Sequence, residues 1–124
     1  MKNLIKYLVI VFLLSSFTVQ SVSEIVHALN TGNAALVSKF FDKTVEISLP
    51  DKSSSYSKSQ AELILKDFFS TNGVTRFALI HTGDKLGSQY CIGSLQTHNG
   101  TFRTTIYLKQ KGDKQVLQEL KFEK

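Results

Sequence analysis

Residues 40–50 read FFDKTVEISLP: two aromatics, an acid, then apolar and polar side chains in alternation up to a proline. The two phenylalanines close the run NAALVSKFFD, where Leu36, Val37, Phe40 and Phe41 recur at helical spacing from a start at Asn33 and Asp42 ends the pattern. From Thr44 to Leu49 the period falls to two. Val45, Ile47 and Leu49 take one side and Thr44, Glu46 and Ser48 the other, before Pro50 and Asp51 signal a turn. A helix that hands over directly to a half-buried strand calls for a layered α+β domain. It also separates the first acidic pair of interest: Asp42 becomes a helix-end residue and Glu46 an outward-facing strand residue.

Upstream, SEIVHALNTG starts from Ser23 as an N-cap, carries Ile25, Val26 and Leu29 on one face and stops at Gly32, a second short amphipathic helix. Before it stands MKNLIKYLVIVFLLSSFTVQS. Lys2 and Lys6 precede the apolar run Tyr7 to Leu14, and Val19 and Ser21 give a small-residue pattern before a cut, which reads as a secretory signal peptide over residues 1–21. The run is shorter than the roughly 20 apolar residues that span a bilayer, so no stable membrane anchor is expected. Residues 22–124 then form one exported domain, periplasmic or secreted, large enough for a real core.

Downstream, KSSSYS reads as a weak edge strand around Tyr56. Ser59 and Glu62 in SQAE form a capping box, followed by Leu63, Ile64, Leu65, Phe68 and Phe69 in a third helix that ends near Asn72-Gly73. The rest is strand: VTRFALIHT, QYCIGSLQT, TFRTTIYLKQ and QVLQELKFE, rich in β-branched and aromatic residues and separated by turn chemistry.

Turns set which side chains share a face. A two-residue Asn99-Gly100 turn pairs His98 with Thr101 and places Leu95 opposite Thr104, Gly93 opposite Ile106 and Cys91 opposite Leu108. Phe102, Thr104, Ile106 and Leu108 then join Cys91, Gly93, Leu95 and Thr97 on an apolar face toward the helices. The other face carries Tyr90, Ile92, Ser94 and Gln96 beside Arg103, Thr105, Tyr107 and Lys109. For the last hairpin, a two-residue Gly112-Asp113 loop would turn Glu119 inward. An odd-length loop turns Val116, Gln118, Leu120 and Phe122 inward and is the expectation taken here. With Arg76 pointing out, the strand at 74–82 sends Thr75, Phe77, Leu79 and His81 inward.

Two short helices, a strand pair, a third helix and four long strands is an order similar to that of the nuclear transport factor 2-like superfamily. FFDKTVEISLP and YSKSQAELILKDFF resemble that superfamily's helix end, first strand and following helix with paired aromatics, and the resemblance covers the whole mature chain. The chain as a whole resembles a domain-of-unknown-function family of small exported Bacteroidetes proteins. The resemblance implies a cone: three N-terminal helices packed on a curved, mostly antiparallel sheet of about five to six strands. It does not imply one activity, because isomerases, dehydratases, transport adaptors and binding proteins share this architecture and differ in what lines it.

The chemistry available to such a cone is sparse. Asp42, Asp51, Asp84 and Asp113 fall at element ends or turns, and Glu46 and Glu119 point outward, so His81 is the one inward titratable group expected. Thr104, Gln118 and Thr97 would supply polar contacts beside it, with Tyr56 at the rim. The three histidines lack metal-ligand spacing, no cofactor motif is present, and the serines at 53–55 lack a nucleophile elbow. Cys91, the one cysteine, has no disulfide partner and reads as a small buried hydrophobe. The formal charge of +5 falls by two with the leader, and the C-terminal lysines are not interleaved with aromatics, which argues against nucleic acid. Three functions remain as expectations: binding a small apolar or amphipathic ligand or a peptide in the cone; an enzyme using His81 with Asp84; and an adaptor that dimerises through Ile92 and Tyr107 on the outer sheet face.

Overall fold

The computed structural model describes residues 21–124; the expected leader, Ser21 apart, lies outside the described residues. Helix α1 runs through 21–30, with Ile25, Ala28 and Leu29 buried at helical spacing. The expected N-cap Ser23 therefore sits inside the helix. The helix stops at Gly32, whose φ of +63° lets the Gly32 N–H reach the Leu29 carbonyl (3.1 Å) and the Asn33 N–H reach Ala28 (2.8 Å). Asn33 then caps α2 (Ala34–Ser38), its Oδ1 accepting the Leu36 N–H at 3.1 Å.

The expected continuation of α2 through Phe41 does not occur. The Phe40 carbonyl accepts the Leu117 N–H at 2.6 Å, which draws the chain into the sheet, and Phe41 and Asp42 open β1 (Phe41–Leu49). Phe41 is buried all the same, because a strand residue facing the helices meets the same core. Val45 and Ile47 face inward and Glu46 is exposed, as the alternation requires.

β2 (Lys52–Ser57) is the expected edge strand and leads into α3 (Lys58–Asn72). The capping box is Ser57 with Gln60, two residues earlier than expected. Glu62, released from capping, accepts a hydrogen bond from Ser38 Oγ at 2.6 Å and ties α2 to α3. Ala61, Leu65, Phe68 and Phe69 are buried, and Phe68 stacks on Phe122 (4.7 Å between centroids) and meets Phe102 edge-on (5.1 Å). That aromatic knot fastens the longest helix to the sheet.

β3 (Val74–Lys85), β4 (Ser88–Thr97), β5 (Gly100–Lys111) and β6 (Lys114–Glu123) complete a curved, unclosed six-stranded sheet in the order β2-β1-β6-β5-β4-β3. All neighbours are antiparallel except β1 and β6. The β4–β5 register differs from expectation by two residues: Thr97 pairs with Gly100, Leu95 with Phe102 and Gly93 with Thr104. His98 and Asn99 form the turn because tertiary bonds hold them, the His98 N–H donating to the Asn72 and Gly73 carbonyls and Asn99 Nδ2 to Thr71. A two-residue slip preserves parity, so every face assignment of β4 and β5 stands.

The β5–β6 hairpin combines the two alternatives weighed from sequence. Lys111 pairs with Lys114 across a two-residue Gly112-Asp113 turn, and a bulge between Leu108↔Leu117 and Tyr107↔Glu119 then inserts Gln118. Leu117, Leu120 and Phe122 are therefore buried, whereas Val116 and Gln118 are not among the core residues. β3 bulges at Ile80, between Leu79↔Gly93 and His81↔Ile92, which turns His81 to the outer face. The expected inward set of β3 reduces to Phe77; Thr75, Leu79 and His81 are exposed.

Candidate functional site

The inner wall of the cone is built by Val45 and Ile47 of β1, Leu95 of β4, Thr104, Ile106 and Leu108 of β5 and Leu120 and Phe122 of β6. Each is 0–1 % exposed, and all but Thr104 pack with Leu29 of α1 and Leu65 of α3 as one hydrophobic cluster. A cavity able to admit a water molecule would leave its walls accessible. These walls are not, so the part of the cone that they line is closed to water. Thr104 is wholly buried, and its hydroxyl donates to the Phe102 carbonyl at 3.3 Å.

The other residues singled out from sequence do not converge. Thr97 belongs to the β4–β5 turn, its Oγ1 donating to the Gly100 carbonyl (2.7 Å) and accepting the Asn99 N–H (3.1 Å). Tyr56 is half-buried on the edge strand, opposite Val45. His81 lies outside, 3.4 Å from the Tyr90 hydroxyl, with Tyr90 laid across Gly83. Its sequence neighbour Asp84 pairs with Gln89, whose register places it on the inner side, so the strand points the two groups of the enzyme reading to opposite faces.

Gln118 takes part in a different constellation. At the bulge its Nε2 donates to Asp42 Oδ2 at 3.1 Å, and Lys111 Nζ donates to the same oxygen at 2.8 Å. The Lys43 N–H donates to Asp42 Oδ1 at 2.8 Å. The Lys111 ammonium foremost, then Gln118, then the Lys43 amide hold this carboxyl down at about 2, from an ordinary 3.8. It is a latch between the start of β1 and the β5–β6 hairpin, which sequence reasoning missed because Gln118 is in line only through the bulge. Cys91 is 2 % exposed, and burial, followed by the negative charge of Asp84, pushes its thiol up and away from nucleophilic chemistry.

Accessible hollows among the described residues include one of about 310 Å³ beside α3, with Leu49, Ile64, Phe68 and Phe102 in its walls, and one of about 460 Å³ between α2 and α3, with Ala34 and Phe69. Two others adjoin where α1 and α2 meet β6: a groove of about 300 Å³ including Lys39, Phe40, Lys114, Gln115 and Val116, and one of about 500 Å³ including His27, Leu36, Lys39 and Phe40. Among the described residues there is no group of three or more histidine, cysteine, aspartate or glutamate side chains that could hold a metal ion. Nor is any described helix long and apolar enough to cross a membrane.

The model of a domain of unknown function, DUF4783, matches residues 22–123. The chain belongs to the DUF4783 family. Two DUF4783 crystal structures resemble it over 82 % of its length. The protein from Bacteroides ovatus ATCC 8483 is 27 % identical with a TM-score of 0.79 and is covered over 92 % of its own chain. That from Bacteroides fragilis YCH46 is 30 % identical with a TM-score of 0.77 and is covered over 95 %. An NTF2-like protein of unknown function from Cytophaga hutchinsonii ATCC 33406 shares the fold at 13 % identity, with a TM-score of 0.59 over 82 % of this chain and 83 % of that one. The expected NTF2-like architecture is thus the fold of this DUF4783 domain. No curated protein is similar to it in sequence.

Proposed function

We propose that this DUF4783 domain is an exported, non-catalytic adaptor that works through its outer surfaces, and that its outer sheet face meets a second copy of the chain. The observation carrying this reading is the closed inner cluster: its side chains are 0–1 % exposed, while apolar and aromatic surface is spent outside. Tyr90 pairs with Tyr107 and Ile92 with Thr105, which makes Ile92 and Tyr107 diagonal neighbours beside His81. Tyr107 is 38 % exposed. Around this patch, register places Arg103 beside Glu123, Lys121 on Thr105 and Glu119 on Tyr107. A face with an aromatic centre and both charge signs at its rim is self-complementary, as a two-fold interface must be.

Sedimentation equilibrium of the purified protein tests the reading. A dimer that Ile92→Glu and Tyr107→Glu each convert to monomer, with cooperative thermal unfolding retained, supports it. A wild-type monomer at about 100 μM, or a dimer indifferent to both substitutions, sinks it, since a stable interface of about 800 Å² per partner could not ignore a charge at its centre.

A further inference from the structure

β6 lies between β1 and β5, but β1 does not accompany it along its whole length. β1 begins at Phe41, opposite Leu117, and upstream of Phe41 the chain turns away into α2. The first three residues of β6, Lys114, Gln115 and Val116, are paired with β5 alone. Main-chain groups two residues apart on a strand point to the same edge. The Leu117 N–H points at Phe40, so the N–H and C=O of Gln115 point into the place that an earlier residue of β1 would have filled. That place is the groove of about 300 Å³ whose walls include Lys39, Phe40 and Val116.

Gln115 Nε2 donates to Gln89 Oε1 at 3.1 Å, so the side chain reaches across β5 and leaves only the main chain of Gln115 facing the slot. Charge marks the slot as well. Exposed Lys39 and Lys114 flank the groove, and Glu24, which has its own interaction, is the acid among its walls. Lys111 nearby is engaged by Asp42. The balance of charge at this end is positive.

We propose that the slot takes a short extended segment of an acidic polypeptide from another protein, added edge-on to β6 at Gln115. The partner's backbone would complete the pairing that β1 leaves off, an apolar side chain would rest on Phe40 and Val116, and acidic side chains would face Lys39 and Lys114. Main-chain bonds give such a contact its affinity and the flanking pockets its selectivity. It uses neither the cone nor the outer sheet face, so it stands or falls apart from the dimer.

Amide chemical shifts of the ¹⁵N-labelled protein, titrated with a hexapeptide of alternating glutamate and valine, test the proposal. The expected result is saturable shifts at Lys114, Gln115 and Val116, and about fivefold weaker binding for Lys39→Glu and Lys114→Glu. The same peptide with alternate amides N-methylated keeps its charge but cannot pair as a strand, and it should not bind. Equal binding of that peptide, of an alternating lysine–valine peptide, or displacement by inorganic phosphate would reduce the slot to a plain cationic surface and overturn the proposal. Shifts confined to Ile92 and Tyr107, peptide-free self-association broadening Gln115, or no shift up to about 1 mM peptide would overturn it as well.

Discussion

Replacing Asp42 by Asn tests the latch at the start of β1. The carboxylate accepts Lys111 Nζ at 2.8 Å and Gln118 Nε2 at 3.1 Å on one oxygen and the Lys43 N–H on the other. Asparagine keeps the shape but loses the charge. A fall in pKa from 3.8 to about 2 corresponds to at most about 2.5 kcal/mol. Asp42 retains 15 % of its side-chain exposure and Lys111 52 %, so water screens the pair and the expected loss is about 1 kcal/mol. The folded pKa lies below the unfolded one. The contribution is therefore complete above about pH 4 and is lost as pH falls through about 2. Urea unfolding followed by circular dichroism should show Asp42→Asn about 1 kcal/mol less stable than wild type at pH 7, with the two curves drawing together toward pH 2. Lys111→Met should cost little in the Asp42→Asn background. A gap that is the same at pH 7 and pH 2, or full additivity of the two substitutions, would refute the electrostatic account and leave only a packing role for Asp42.

Three further outcomes follow from the packing. A Cβ at Gly93 would sit 2.7 Å from the Ala78 carbonyl oxygen and press on the Phe77 ring, so Gly93→Ala should cost about 3 kcal/mol in urea unfolding; a loss within experimental error would refute the close approach. Cys91 should react with a maleimide reagent in urea but resist it in buffer, and rapid labelling of the native protein would contradict its burial. Removing Gln118 deletes the bulge without moving Glu119, Leu120 or Phe122 to new faces, and should cost about 1 kcal/mol, the screened value of the latch that it belongs to. Removing Val116 instead forces Leu117 outward and should abolish the cooperative transition; if both deletions melt alike, the bulge does not set the register.

The sequence speaks clearly where the physical signal is periodic. Helical spacing at Ile25 and Leu29, alternation at Val45 and Ile47, and the aromatic pair Phe68-Phe69 all report burial, and burial follows from them. Ends of elements are less legible because neighbours distant in sequence compete for them: Leu117 takes Phe40 from its helix, and Asn72 and Gly73 move the β4–β5 turn by two residues. That slip left no trace on the faces, since side chains repeat every two residues along a strand. A bulge is different in kind. One inserted residue reverses every side chain beyond it, yet neither Ile80 in β3 nor Gln118 in β6 departs from ordinary strand composition. His81 and Gln118 lie one step past or within such insertions, which is why the polar set expected inside the cone dispersed. The same parity argument explains what replaced it. With Gln118 absorbed as the extra residue, Leu117 and Leu120 both face inward and close the cone, while Gln118 is free to reach Asp42 and fix the point where β1 begins. The start of β1 in turn leaves Gln115 without a strand beside it. The bulge that lets Leu117 and Leu120 both face inward is thereby tied to the open edge at the start of β6.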